Sequence, residues 1–187
     1  MIMMIGEMNM KILIIKGSPH IKGSSNLLTS QFIKGVQENH HEVTEFDVAH
    51  HHIAPCLGCE HCGMDGPCVQ KDDMNELKEL MLSHDVIVFV SPLYYFGISA
   101  QLKAAIDRIY SFTMKLSSMH KKTVFICAAW NSSKRTMDAV EAHYQALVDY
   151  MHFEDLGMIL ATGCGTPSMT SHSAFMKQAY ELGKSID

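Results

Sequence analysis

The segment from Lys11 to Asn26, which reads KILIIKGSPHIKGSSN, constrains the fold more than any other part of the sequence. Its apolar run ends abruptly at Gly17, and a loop of glycine, serine and proline follows. Apolar residues then recur at helical spacing from Leu27 to Val36. A buried strand that leads through such a loop into a helix brings backbone N–H groups and the positive end of the helix dipole together. The segment therefore predicts a site for a phosphate-bearing ligand.

Strand and helix patterns alternate along the chain. Five apolar runs predict β-strands: Lys11–Lys16, Val43–Val48, Asp85–Ser91, Thr123–Ala129 and Leu156–Thr162. The intervening segments predict helices: Ser25–Glu38, Asp72–Ser83, Gly97–Met114, Ser133–Tyr150 and Ser168–Ile186. Runs such as VIVFV are apolar throughout, which is typical of a parallel sheet covered on both faces. The alternation predicts a doubly wound α/β sandwich, in a single domain over residues 1–187.

Length, composition and charge exclude several classes of protein. The chain has 187 residues, enough for one domain with a full core, and its 47% hydrophobic content excludes disorder. The net charge of -5 and the lack of a basic run argue against nucleic acid as a partner. No apolar stretch is long enough to cross a membrane, and the Met-rich residues 1–9 lack the features of a signal peptide. We therefore expect an N-terminal extension and a cytoplasmic protein with no membrane partner.

The first loop differs from the common phosphate-binding motifs. A Walker loop needs lysine where this chain has Ser24, and Pro19 interrupts a dinucleotide fingerprint. What remains is a cradle of hydroxyls, one amide and backbone N–H groups: Ser18, Ser24, Ser25 and Asn26. These groups suit a phosphate monoester held without a dedicated cation. The alternative is an ordinary turn in which serine or asparagine caps the following helix.

Three motifs together resemble a known family. GSPHIKGSSN, the KDDM of Lys71–Met74 and SPLYYFGISAQLKAAIDR stand in the order and spacing of the NADPH-dependent FMN reductase family of flavodoxin-like flavoproteins. Within that family, the chain resembles the branch that includes iron–sulfur flavoproteins. The resemblance covers most of the chain and is strongest from Lys11 to Arg108. It implies a three-layer flavodoxin-like sandwich, with a five-stranded parallel sheet in the order 2-1-3-4-5, helices on both faces and FMN at the switch point. It also implies a homodimer or homotetramer with the flavin near a subunit boundary.

The resemblance also assigns residues to the flavin. It places the FMN phosphate on the polar groups of the first loop: Ser18, Ser24, Ser25 and Asn26. His20 belongs to the same loop and stands where the family usually has arginine. A second set would bracket the ribityl chain and the isoalloxazine ring: Pro92, Leu93, Tyr94, Tyr95, Phe96 and Gly97. Aromatic residues at a switch point can also serve only to anchor their loop to the core.

A third loop, AAWNSSKR, carries the only tryptophan of the chain. We expect Trp130 to stack on the flavin or to fence it, and Asn131 to donate a hydrogen bond to its pyrimidine oxygens. The alternatives are a tryptophan in the core or in a subunit interface, and a polar segment that only caps the next helix.

Four of the six cysteines crowd into one short segment of the chain. Their spacing is C-x2-C-x2-C-x5-C: Cys56, Cys59, Cys62 and Cys68. A run of this kind can wrap a [4Fe–4S] cluster, as related runs do in bacterial ferredoxins. Four thiolates also satisfy a zinc ion, and a loop with free thiols is the remaining alternative. The surrounding segment Ala49–Lys71 has no periodicity, and a loop of that length in a compact domain is usually functional or disordered.

These features predict an FMN-dependent oxidoreductase. The flavin would accept hydride at N5 from NAD(P)H and pass electrons, in ping-pong fashion, to a quinone, free flavin, azo or nitro compound, or a ferredoxin. No side chain is indicated as a catalytic acid, base or nucleophile, and we interpret Lys103, Asp107 and Arg108 as structural. Two alternatives stay open. The chain could be an electron carrier that relays electrons between proteins through FMN and a cluster, or a non-redox module that binds another phosphorylated ligand.

Overall fold

The computed structural model describes residues 9–187 and contains one five-stranded parallel sheet. The strands are β1 (Lys11–Lys16), β2 (Glu42–Asp47), β3 (Val86–Pro92), β4 (Lys122–Ala128) and β5 (Glu154–Ala161). They are arranged in the order β2-β1-β3-β4-β5, and every neighbouring pair is parallel. The predicted fold class and strand order are thereby confirmed. The predicted N-terminal extension, residues 1–9, lies outside the described residues except for Asn9.

Seven α-helices and one 3-10 turn connect the strands within residues 9–187. The helices are α1 (Ser24–Glu38), α2 (Met74–Ser83), α3 (Ala100–Arg108), α4 (Thr113–Ser117), α5 (Asp138–Met151), α6 (Pro167–Ser171) and α7 (Phe175–Lys184). The 3-10 turn, Ile109–Phe112, joins α3 to α4. Residues 49–71 contain neither helix nor strand, as their lack of periodicity predicted. No helix in the described part of the chain is both long and apolar enough to cross a membrane.

The helix predicted over Gly97–Met114 is wrong in its extent. The Ser99 side chain accepts a hydrogen bond from the Leu102 N–H, so it caps α3 and the helix begins only at Ala100. The chain then tightens into the 3-10 turn at Ile109 before α4 starts. Periodicity of apolar residues continues through such a turn, and for that reason it did not reveal the break.

Of the other predicted helices, two match to within two residues and two differ more widely. The helix predicted over Ser133–Tyr150 begins at Asp138, because a turn closed by the Thr136 N–H replaces its first residues. The helix predicted over Ser168–Ile186 is two helices, separated by a turn at residues 172–174.

Alternating residues of the central strands serve two separate cores, one on each face of the sheet. Leu13 and Phe89 point to a core shared with α2, α3, α4 and α5. Ile12 and Val88 point to the opposite core, shared with α1 and α7. This arrangement explains why β3 is apolar from Val86 to Val90, since neither face of that stretch meets water.

Helices α1 and α7 cover one face of the sheet and approach each other so closely that glycine stands on both helices at their closest contact. A Cβ atom on Gly35 would lie 2.1 Å from the Tyr180 carbonyl oxygen. A Cβ atom on Gly183 would lie 2.1 Å from the Phe32 carbonyl oxygen. Glycine at both positions therefore lets the two backbones touch.

We expect Gly35→Ala to lower the free energy of unfolding by about 1–3 kcal/mol, because the added methyl group must separate α1 from α7. The clash outweighs the helix propensity of alanine, which alone favours the variant by about 1 kcal/mol. Urea unfolding followed by circular dichroism measures the change. The exposed neighbour Lys34 supplies the control, since Lys34→Ala should stay within about 0.5 kcal/mol of wild type. Equal midpoints for the two variants would contradict the packing described here.

Candidate functional site

The largest feature at the carboxyl edge of the sheet is a cleft of about 750 Å³. Its walls come from the segments that follow β1, β3, β4 and β5: residues 18–25, residues 92–94, Ala128, Trp130 and residues 164–167. In a sheet of this strand order the reversal lies between β1 and β3, and ligands bind outside the strand ends at that point. The cleft therefore occupies the position at which such a fold binds its ligand.

The loop after β1 is held rigidly against the start of α3. Ser99 Oγ donates a hydrogen bond of 2.7 Å to the Gly17 carbonyl oxygen while it caps α3. The Ser99 N–H in turn donates to Ser91 Oγ at 2.8 Å, which ties the end of β3 into the same junction. The Gly17 N–H donates to the Val90 carbonyl oxygen at 2.8 Å. The first and second loops are thus joined by a continuous set of hydrogen bonds next to the cleft.

The first turn of α1 carries polar groups with no partner among the described residues. The helix begins after Gly23, and no side chain caps its N-terminus. The Oγ atoms of Ser24 and Ser25 are buried and make no hydrogen bond, and Ser25 as a whole is only 1% exposed. Leaving a buried hydroxyl unpaired costs about 1–3 kcal/mol. No serine or asparagine side chain caps α1, so the alternative of a simple helix cap is wrong, and both hydroxyls lack a protein partner.

The remaining predicted residues of the first loop have different roles. Ser18 lines the cleft and its Oγ accepts a hydrogen bond from the His20 N–H at 3.2 Å. The side chain of His20 lies at the rim. Asn26 does not line the cleft, because its amide nitrogen donates to the carbonyl oxygens of His20 and Ile21 and so braces the loop from behind.

Lys22, which the sequence motifs did not indicate, also lines the cleft. We predicted a phosphate cradle without a dedicated cation, and that stays a prediction; Lys22 and His20 are both exposed residues of the cleft lining. The position of Lys22, two residues before Ser24, could have indicated it. Both residues belong to one tight turn, which is closed by a hydrogen bond from the Gly23 N–H to the His20 carbonyl oxygen.

The second loop forms a two-residue hairpin. The Tyr94 N–H and the Gly97 N–H each donate to the other residue's carbonyl oxygen, at 3.0 and 3.1 Å. Tyr95 and Phe96, between them, have left-handed backbones with φ of 46° and 66°, a conformation that costs of order 1–3 kcal/mol for each such residue. Of the residues predicted here, three line the cleft: Pro92, Leu93 and Tyr94. Tyr95, Phe96 and Gly97 do not line it, and the rings of Tyr95 and Phe96 are exposed to solvent.

Trp130 lines the cleft and is positioned by Gly165, a residue that the sequence motifs did not indicate. A Cβ atom on Gly165 would lie 2.2 Å from Trp130 Cε3, so the indole packs directly on the backbone there. The tryptophan is nevertheless 69% exposed, which leaves much of its surface free. Asn131 does not line the cleft, because its side chain hydrogen-bonds with Ser133 in the exposed loop. The buried thiol of Cys164 forms part of the wall.

A second cavity, of about 420 Å³, lies within the cysteine loop. All four clustered cysteines line it, and each is a free thiol: Cys56, Cys59, Cys62 and Cys68. Asp107 and Tyr110, from α3 and the 3-10 turn, complete one side. In the chain from residue 9 onward, no group of three or more histidine, cysteine or acidic side chains is placed to hold a metal ion. The thiols therefore surround a space and do not converge on one point.

The cysteine loop is anchored by a buried ion pair between Asp72 and Arg108. The Arg108 Nη1 and Nη2 atoms donate to the two carboxylate oxygens of Asp72 at 2.7 and 3.0 Å. Burial on its own would raise the pKa of Asp72, but the hydrogen bonds and charge of Arg108 outweigh it and hold that pKa below its ordinary value. The pair thus stays charged at neutral pH and fixes the loop to α3.

Comparison with known proteins gives three findings. A family model described as a flavodoxin-like fold matches residues 10–184. The chain is 36% identical over 103 residues to an iron-sulfur flavoprotein of Archaeoglobus fulgidus, a match that covers 55% of this chain and 47% of that protein. It is 30% identical over 151 residues to an iron-sulfur flavoprotein of Methanosarcina thermophila, covering 81% of this chain and 76% of that protein.

In addition, the fold is similar to that of a solved structure. An FMN-dependent NADH-azoreductase from Bacillus anthracis str. Ames Ancestor, in complex with FMN, superposes with a TM-score of 0.71 at 17% identity. The superposition covers 92% of this chain and 97% of that one. The chain spans only about half the length of three of the curated relatives that it matches, covering 47%, 51% and 48% of those proteins.

We expect Gly165→Ala to displace the Trp130 indole, because the added methyl group and the ring cannot occupy the same space. Trp130 is the only tryptophan, so its fluorescence reports on this contact alone. The variant should show a shifted emission maximum and lower anisotropy than wild type. Ser168→Ala, at an exposed position three residues further on, should leave both unchanged. Identical spectra for wild type and Gly165→Ala would show that the indole does not rest on Gly165.

Proposed function

The chain belongs to the family with the flavodoxin-like fold, and from that premise we propose that it is an FMN-dependent oxidoreductase that uses NAD(P)H. The observation that carries the proposal is the pair of buried, unpartnered serine hydroxyls at the uncapped start of α1. A folded protein rarely leaves such groups unpaired without a use for them. The names of the relatives, which include flavoproteins and an FMN-dependent reductase, agree with this use.

The phosphate end of FMN fits the first loop by its chemistry. Ser24 and Ser25 offer two O–H donors to phosphate oxygens, and the start of a 15-residue helix adds its dipole. Lys22 and His20 belong to the same loop and line the cleft, where a cation would offset the charge of the phosphate. The loop is fixed in place through Gly17, so it need not reorganise on binding.

The flavin ring fits the wider part of the cleft. Trp130 and Tyr94 present aromatic surface there, and Pro92 and Leu93 present apolar surface, which a flat heteroaromatic ring can contact. Bound FMN would supply the chemistry itself, by taking hydride from NAD(P)H and passing electrons to an acceptor. The chain's own contribution is to bind and orient that group and to shield it from water. We assign no side chain as a catalytic acid, base or nucleophile.

The acceptor and the assembly are part of the same proposal. A small molecule such as a quinone, a flavin, or an azo or nitro compound suits an open cleft with an exposed aromatic rim. The exposed rings of Tyr95 and Phe96, next to the cleft, suit an interface in a homodimer or homotetramer. A strained hairpin that displays two aromatic side chains is more readily explained by a surface it contacts than by the stability of the isolated chain.

The cysteine cavity favours a second function. In it, the chain is an electron carrier with an additional iron–sulfur centre. Four thiols around a space of about 420 Å³ suit a cluster that they would contact from several sides. A zinc ion needs four ligand atoms about 2.0–2.3 Å from one point, and the described thiols do not converge in that way. We therefore propose a [4Fe–4S] cluster in preference to zinc, with ferredoxin as the redox partner of this second function.

We expect Ser25→Ala to weaken FMN binding by about 10- to 100-fold, since a hydrogen bond to a charged group contributes about 1.5–3 kcal/mol. Riboflavin, which lacks the phosphate, should bind equally well to both proteins. The ligand-free variant should unfold at a higher temperature than wild type, because it no longer buries an unpaired hydroxyl. Titration of the apoprotein, followed by flavin fluorescence, measures the affinities.

Ser30→Ala is the matched control for this substitution. Ser30 lies in the same helix, and its hydroxyl already has a partner, the Leu27 carbonyl oxygen. FMN should bind this variant as it binds wild type. If Ser25→Ala weakens FMN and riboflavin to the same extent, the phosphate does not contact Ser25.

Mixing the FMN-loaded protein with NADH or NADPH without oxygen should bleach the flavin absorbance rapidly in a stopped-flow experiment. A quinone added afterwards should restore it. Bleaching by reduced ferredoxin alone would favour the electron carrier over the enzyme. A protein that purifies colourless and gains no thermal stability from FMN would contradict both functions.

A further inference from the structure

A further cavity, of about 380 Å³, lies between the aromatic hairpin and the segment that leads into α5. Tyr94 and Trp130, which line the cleft, come from the same two loops. The cavity and the cleft therefore share the loops after β3 and β4 as walls. Its volume is within the range of about 300–1,000 Å³ that is usual for small-molecule sites. Four residues line it: Phe96, Arg135, Asp138 and Ala139.

Arg135 leaves most of its hydrogen-bonding capacity unused. Its Nε–H donates to Asp138 Oδ2 at 3.1 Å. A guanidinium carries five N–H donors, and the four on Nη1 and Nη2 make no hydrogen bond to another described residue. The side chains of Arg135 and Asp138 are 87% and 54% exposed, and an ion pair so exposed adds little to stability. What the pair does is orient the guanidinium while its outer edge stays free.

The backbone around Arg135 is anchored, although its side chain is not. The Ser133 N–H donates to Asn131 Oδ1 at 3.0 Å, and the Thr136 N–H donates to the Ser133 carbonyl oxygen at 3.1 Å. The hydroxyl oxygens of Ser133 and Thr136 lie 3.0 Å apart, and Thr136 is fully buried. The cation next to Thr136 is therefore presented from a fixed position, and only its side chain must become ordered when a ligand binds.

The two recognising groups of this cavity suit two parts of an adenine nucleotide. The free Nη groups of arginine match two oxygens of a phosphate, in the bidentate geometry that a lysine cannot offer. The ring of Phe96 is 54% exposed and can stack on a flat base. Tyr95, its neighbour in the hairpin, does not line the cavity and stays available to a partner subunit.

We infer that this cavity receives the adenosine end of NADPH, and that Arg135 is the residue that selects NADPH over NADH. The Arg135 Nη groups bind the phosphate on the 2′ oxygen of the ribose, and Phe96 contacts the adenine. NADH lacks that phosphate, so it leaves the same donors without a partner. The carboxylate of Asp138 does not repel the phosphate strongly, because its charge is already paired with Arg135. The inference rests on the proposed function and names its reducing substrate.

Binding of adenosine 2′,5′-bisphosphate to the FMN-loaded protein tests the site without any redox step. Calorimetric titration should show that adenosine 5′-monophosphate binds at least about 10-fold more weakly, because it lacks the 2′-phosphate. Arg135→Gln should weaken the bisphosphate by about 10- to 100-fold, since hydrogen bonds to a charged group are lost. Both substitutions used here change exposed side chains, so neither should alter the fold.

Lys134→Gln is the matched control. It removes the same charge one residue earlier, from an exposed side chain that does not line the cavity. Its affinity for the bisphosphate should stay within about twofold of wild type, because the charge of an exposed lysine is screened by salt. Equal losses in Arg135→Gln and Lys134→Gln would show a general effect of charge and would overturn the inference.

Phe96→Leu tests the contact with adenine. Leucine is apolar like phenylalanine but has no ring to stack, so the bisphosphate should bind about 5- to 100-fold more weakly. The same left-handed backbone is required of both residues, so the comparison does not change the strain of the hairpin. Wild-type affinity in Phe96→Leu would overturn the assignment of this cavity to the adenosine end.

Anaerobic stopped-flow reduction distinguishes this inference from the proposed function. Wild type should be reduced at lower concentrations of NADPH than of NADH, and Arg135→Gln should lower that preference by about 10- to 100-fold. A protein that binds FMN and is reduced by both nucleotides alike would keep the proposed function and overturn the inference. A protein that binds no FMN would refute the proposed function. Titration of that protein with the bisphosphate would still decide the site, through its dependence on Arg135.

Discussion

The hydrogen bond from Ser99 Oγ to the Gly17 carbonyl oxygen joins the two loops on which the cleft depends. It lies at the point where the strand order reverses, between the ends of β1 and β3. Because the same hydroxyl caps α3, the start of that helix and the end of β1 are fixed together. The chain must then turn sharply into α1, whose N-terminus has no side-chain cap and whose first two serine hydroxyls have no hydrogen-bond partner.

The parts of this architecture that follow from local pattern could be predicted from the sequence. Apolar runs located every strand to within two residues, and the hydroxyl-rich first loop that the sequence singled out lines the cleft, Ser25 included. The strand order came from the family resemblance. What could not be predicted depends on distant contacts. Arg108 meets Asp72, 36 residues earlier, and Trp130 rests on Gly165, and no periodicity encodes either pairing.

The protein carries two polar arrangements that cost stability in its ligand-free form. One is the pair of unpaired serine hydroxyls, and the other is an ion pair withdrawn from water. The serines line the cleft at the strand ends, and the ion pair anchors the cysteine loop. A phosphate bound to the serines would offset the first cost. The ion pair instead holds the cysteine loop to α3.

The central claim is that the start of α1 holds the phosphate of FMN. A crystal structure of the protein grown with excess FMN tests it most directly. We expect phosphate oxygens within hydrogen-bonding distance of the Ser24 and Ser25 hydroxyls, with the flavin ring beside Trp130. A cleft that stays empty under those conditions, or a flavin whose phosphate lies away from α1, would contradict it.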